Sequence, residues 1–136
     1  MKTKTAGLTG IPLRYAVAIA EGGKNFRYKR CRTYWIAIDG EDRALSAGET
    51  QSFTPDITWA HGGPIIEREL YELLRCQQGS TGQSGLPGPV YWEASKGFDD
   101  DPDYVIQTGD TPLIAAMRCY VASKLGDEVE VPDELA

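Results

Sequence analysis

The chain is poor in the residues from which most catalytic and metal centres are built. It has one histidine, His61, and three cysteines, Cys31, Cys76 and Cys119, far apart and odd in number. No C-x-x-C pair occurs, so neither a zinc site nor a thioredoxin-like motif is supported, and the plain expectation is three reduced thiols packed as small apolar groups. A Ser–His–Asp or Cys–His relay would have to be built around His61, yet no G-x-S-x-G elbow is present. The glycine patterns of the P-loop and of the dinucleotide fold are missing too. No apolar run approaches the roughly 18 residues that cross a membrane. No apolar signal-peptide core follows the basic start Met1-Lys2-Thr3-Lys4, because Arg14 interrupts it. A soluble cytoplasmic protein is expected. No internal repeat is visible.

What remains is an ordinary globular composition. The 136 residues suit one domain, and 41% hydrophobic with 25% charged residues argues against a disordered chain. The net charge of −6 is unevenly spread: residues 1–45 hold nine Lys/Arg against four Asp/Glu, the remainder five against sixteen. Such asymmetry can mark a binding face. The overall acidity argues against long nucleic acid but leaves room for a basic patch that takes a small anion.

Spacing predicts a helix over residues 9–21, capped by Thr9, with Leu13, Ala16, Val17 and Ala20 on one face and Gly22-Gly23 ending it. Thr33–Ile38 reads as a strand, and turn signals at Asp39-Gly40 and Ala47-Gly48 allow residues 43–46 to pair back as a hairpin. Leu70–Cys76 suits either a helix or a strand. Residues 77–89 are expected to be an exposed loop, 90–94 a strand and 97–109 an acidic loop. The clearest helix starts at Asp110 or Thr111, carries Pro112 in its first turn and stops at Gly126. The acidic C-terminal tail can begin with a short extended stretch at 128–131. These elements predict a single compact α/β (α+β) domain over residues 1–136, with a sheet of three to five strands flanked by helices as an α-β-α sandwich.

Two segments resemble a known family. They are Trp59-Ala-His-Gly-Gly-Pro-Ile-Ile-Glu-Arg-Glu69 and the block Thr111–Leu135, which closes on Gly126-Asp-Glu-Val-Glu-Val-Pro-Asp-Glu-Leu135. With Lys2–Gly10 and Trp92-Glu-Ala94, about half the chain is similar to the NinX-like family of tailed phages and prophages. The resemblance implies a phage gene expressed in the cytoplasm of an infected or lysogenic host, in an accessory region beside recombination and late-control genes. It also implies an α-β-α sandwich and a strand rather than a helix at 71–76. The family's function is unknown, and it carries no catalytic residues over. It typically has Gln where this chain has His61, and shorter connections around 77–89.

Four features could bind something. Gly62-Gly63 before Pro64 could open a helix whose free N–H groups cradle a phosphate or carboxylate, with His61 donating beside them. The plainer reading is a tight turn that docks a buried helix, with Trp59 and Ile65 in the core. The basic aromatic stretch 24–35, with Arg27 and Arg30, could hold a nucleotide-sized anion; its plainer reading is an edge strand protected by charge. Arg118 breaks the apolar pattern of the last helix and could point into a pocket. Asp99–Asp103 lacks EF-hand spacing and reads first as a solvated acidic loop.

Three functional readings follow. The first is a non-enzymatic interaction protein acting on a host or phage partner during infection. The second binds a small anionic ligand, such as a nucleotide signal of bacterial defence, through Arg27, Arg30, Trp59, His61, Gly62, Gly63 and Arg118; a homo-oligomer with ligands at its interfaces would favour it. The third is a nucleotide- or nucleic-acid-processing enzyme, which would need Glu67, Glu69 and Glu93 to converge on a metal. No catalytic constellation, cofactor or metal site is expected.

Overall fold

In chain order the strands are β1 (Lys2–Lys4), β2 (Lys24–Lys29), β3 (Thr33–Ile38), β4 (Glu41–Ala44), β5 (Glu72–Gln77), β6 (Val90–Lys96), β7 (Val105–Gly109) and β8 (Glu128–Glu130). The helices are α1 (Gly10–Ala20), α2 (Trp59–Glu69) and α3 (Pro112–Leu125). The computed structural model describes residues 1–29, 33–48, 51–69, 72–78, 88–98 and 100–135. Arg30, Cys31 and most of the predicted 77–89 loop lie outside the described residues. The described strands fall into three small antiparallel sheets: β1 with β8, β2-β3-β4, and β5-β6-β7. Together with the helices they make one α+β domain.

Local chemistry explains the boundaries. The Thr111 side chain accepts a hydrogen bond from the Ile114 N–H at 3.1 Å, satisfying one orphan donor of α3, and Pro112 fills the next position. Gly126, at φ 93°, adopts a backbone that other residues resist and ends the helix. Between β3 and β4, Asp39 and Gly40 both have positive φ, 51° and 81°, which matches the strand twist in a two-residue hairpin. The return strand therefore starts at Glu41, two residues earlier than predicted.

The core lies between α1, α3 and the sheets. Leu13, Ala16 and Val17 meet Ala116, Met117, Tyr120 and Val121, with Ile36, Leu45 and Ile65 closing the sides. Burying each large aliphatic contributes about 1.5–3 kcal/mol. The small residues on α1 and α3 let the two helices approach closely.

Two predictions change, and one open alternative closes. The 97–109 loop is loop only to Tyr104; Val105-Ile-Gln-Thr108 is β-branched enough to add a third strand beside β6. The acidic tail is docked: Val129, Val131 and Leu135 are buried while the carboxylates between them face outward. Glu72–Gln77 is a strand, as the family resemblance implied.

Candidate functional site

The single histidine sits at a loop–helix junction whose polar groups are bonded internally. From Thr54 the chain makes one turn, in which the N–H groups of Ile57 and Thr58 donate to the Thr54 carbonyl. The Thr58 carbonyl then accepts from His61 and Gly62 at 3.1 and 2.9 Å. Helix α2 thus begins at Trp59, before the glycines, and Pro64 lies inside it. The missing proline N–H leaves the Ala60 carbonyl on the exposed side, where water can take it.

This overturns the predicted anion cradle. Gly62 is inside the helix and its N–H is bonded, so it is not a free donor at a helix start. It is glycine for space: a Cβ there would lie 2.5 Å from the Pro55 carbonyl oxygen and 2.7 Å from a Leu113 methyl. Gly63 has no such neighbour; its Cβ would meet only the Trp59 ring, at 3.9 Å.

His61 Nδ1 accepts the Thr54 backbone N–H at 3.1 Å, and its Nε2 lies 3.4 Å from an Arg43 Nη2. Its ring stacks on Phe53 at 5.8 Å, and the Arg43 guanidinium lies 5.4 Å over the same Phe53 ring. Partial burial lowers the imidazole pKa below its ordinary value, and the Arg43 charge lowers it further. A proton on Nδ1 would also face the Thr54 donor. His61 is therefore held neutral as an acceptor, a role that a glutamine carbonyl can fill equally well. Arg43 also donates to the Ser52 and Gln51 carbonyls at 2.8 and 3.3 Å. Beside this cluster is a polar cleft of about 450 Å³ lined by Glu41, Asp42, Arg43, Gln51, Ser52 and His61.

Of the predicted ligand residues, His61 lines it among the described residues. Arg27 pairs with Asp42 at 2.5 Å, at the rim of the cleft. Arg118 lies at a different cleft, on α3, where its Nε and Nη1 donate to the Leu8 and Thr108 carbonyls at 2.9 and 2.8 Å. Burial pulls its pKa below the ordinary arginine value, with Asp110 opposing. Arg118 ties the N-terminal segment to β7. Arg30 is outside the described residues. Trp59 is not in the core as the plainer reading had it: it is 54% exposed, next to Ile57 at 55%, whereas Ile65 is buried. Those two border an apolar slot of about 300 Å³ with Pro112, Leu113 and Ile114.

The residue that organises this region escaped the sequence reading. Arg14, on α1, is buried and makes two bonds to the Asp56 carboxylate, Nε–Oδ1 at 2.7 Å and Nη2–Oδ2 at 3.2 Å, and a third to the Leu45 carbonyl at 3.0 Å. A charge inside an apolar helix was the available signal; its partner, 42 residues away, had none.

Glu69 and Cys119 have shifted acidities. Burial pushes the Glu69 carboxyl up, but Lys96, at 2.6 Å, outweighs it with Lys124 and Arg68 and holds the carboxyl below the usual range. Among the described residues no three His, Cys, Asp or Glu are placed to hold a metal ion. Asp101 Oδ1 accepts the Asp103 N–H at 2.9 Å, a local turn bond. Cys119 is buried and its thiol pKa is pushed up to about 12. Among the described residues no helix is long and apolar enough to cross a membrane.

No curated protein matches the chain. The family model described as bacteriophage P22, NinX matches residues 4–124, from β1 to the last turn of α3. That span takes in the His61 junction, the Trp59 slot and all of the β5-β6-β7 sheet, and the chain belongs to the phage NinX family.

Proposed function

We propose that this chain is a phage accessory protein that acts by docking and not by catalysis, on a host or phage protein in the cytoplasm of the infected or lysogenic bacterium. Trp59 carries the reading. An indole held half out of the surface, with Ile57 beside it and an apolar slot at its edge, is the kind of rigid aromatic anchor that dominates binding energy at protein interfaces. Three groups that acid–base or nucleophilic chemistry could use are engaged elsewhere: His61 accepts a backbone bond, Glu69 is paired, and Cys119 is buried.

The test is recovery of the tagged chain from infected cells, followed by native mass spectrometry. A protein partner retained at fixed stoichiometry, and lost from Trp59→Ala and Ile57→Ser variants with unchanged melting temperature, is the expected result. Indifference of the complex to both substitutions would overturn it.

The alternative is sequestration of a small anion, such as a defence nucleotide signal. The cleft at Arg43 and His61 favours it, while the commitment of Arg27 to Asp42 and of Arg118 to two carbonyls weakens it. A small molecule retained in the same spectra, in place of a protein, would select that alternative.

A further inference from the structure

The β5-β6-β7 sheet has two faces with different surroundings. Strand register sets Leu73, Ala94 and Gln107 in one row and Arg75, Trp92 and Gly109 in the next, and α3 closes this side. Gly109 marks the closest approach: a Cβ there would lie 2.6 Å from the Ala115 nitrogen. The intervening rows, Glu72–Ser95–Ile106 and Leu74–Glu93–Thr108, point the other way. On that side Leu74 is 46% and Ile106 42% exposed. Just past β6, Phe98 is 79% exposed and shares a hollow with Glu72, Leu74, Glu93 and Ser95. Apolar groups gathered this way on one surface mark association sites.

Among the described residues the charges around the patch are mostly acidic. Glu72 and Glu93 lie within its rows, and Asp101 and Asp103 stand beside Phe98. Lys96, which also borders it, is bound by Glu69. Such a border repels nucleic acid and anionic lipid, and a second copy set face to face would bring two acidic rims together. We infer that the outer face of this sheet is a docking surface for a basic amphipathic polypeptide segment, which sets aliphatic side chains on Leu74, Ile106 and Phe98 while its Lys or Arg groups reach Glu72 and Glu93. This surface shares no lining residue with the Trp59 slot.

The probes are two synthetic peptides with the same leucine face, one carrying lysine and the other glutamate on its polar face, titrated into the labelled full-length chain by amide NMR. The lysine peptide is expected to shift the amides of Leu74, Glu93, Ser95, Phe98 and Ile106, with an affinity that falls as salt rises. The Glu72→Lys, Glu93→Lys double variant should bind it about tenfold more weakly or worse and should accept the glutamate peptide instead. A Leu74→Ser, Ile106→Ser double variant should weaken binding comparably while keeping its melting temperature. The Trp59→Ala variant should titrate like the parent, which separates failure here from failure of the Trp59 reading. Equal response to both peptides, shifts confined to the acidic 127–134 segment, or titrations indifferent to the outer-face substitutions would overturn the inference. So would a dimer of the free chain that the Leu74→Ser, Ile106→Ser substitutions dissociate.

Discussion

The Thr54–Gly63 junction and the outer face of the β5-β6-β7 sheet assign opposite roles to their residues. The junction holds what a search for chemistry selects: the lone histidine, paired glycines and nearby arginines. There His61, Asp56 and Arg43 are bonded to the protein itself, and Gly62 is used for close packing. The outer sheet face holds Leu74, Ile106 and Phe98, residue types that a sequence reading assigns to a core, and presents them to solvent. In this small fold the polar motif is bonded internally, and the outward-facing apolar groups lie elsewhere.

Substitutions at the two regions should behave differently. The largest effect is expected at Arg14. Arg14→Ala strands the Asp56 carboxylate in the interior and should cost about 3–5 kcal/mol in denaturant unfolding. Next is Gly62. Gly62→Ala must displace the Pro55 backbone or the Leu113 methyl and should cost about 1–3 kcal/mol. His61→Ala leaves the Thr54 N–H without its acceptor and should cost about 1 kcal/mol, while His61→Gln restores a carbonyl and much of the loss.

The same histidine predicts a pH dependence. Its folded pKa lies below the ordinary 6.5, so as pH falls through 6.5 the unfolded chain takes up a proton first and stability declines. Above 6.5 neither state carries the proton and the contribution is flat. His61→Gln should remove this slope from melting temperatures measured across that range. Smaller still, Gly63→Ala has room for its methyl and should stabilise α2 by about 0.5–1 kcal/mol. Leu74→Ser on the open sheet face should shift stability by no more than about 0.5 kcal/mol.

Periodicity made α1 and α3 legible, though Thr9 makes no side-chain capping bond to α1. Thr111, Pro112 and Gly126 state the limits of α3 in local terms, and Asp39-Gly40 states the β3–β4 turn. The division of the strands into three small sheets was not legible, because pairing partners such as β1 and β8 lie at opposite ends of the chain and leave no local mark. Nor was β7, hidden behind a run of aspartates. The junction was misread for a related reason. A Gly-Gly-Pro sequence signals a turn, but here the Thr54–Thr58 turn had already started the helix, and the need for glycine comes from Pro55 and Leu113. The sequence leaves Trp59 open between a binding group and a core residue; its exposure depends on where α2 meets α3, which only the fold determines.

The contrast is tested most directly by measuring unfolding free energy and partner retention in parallel for Trp59→Ala and His61→Ala. The account predicts that the two readouts separate: Trp59→Ala unfolds like the parent and loses the partner, whereas His61→Ala loses about 1 kcal/mol of stability and keeps the partner. A partner retained by Trp59→Ala but lost from a folded His61→Ala protein would contradict it, and would return the functional role to the polar cleft.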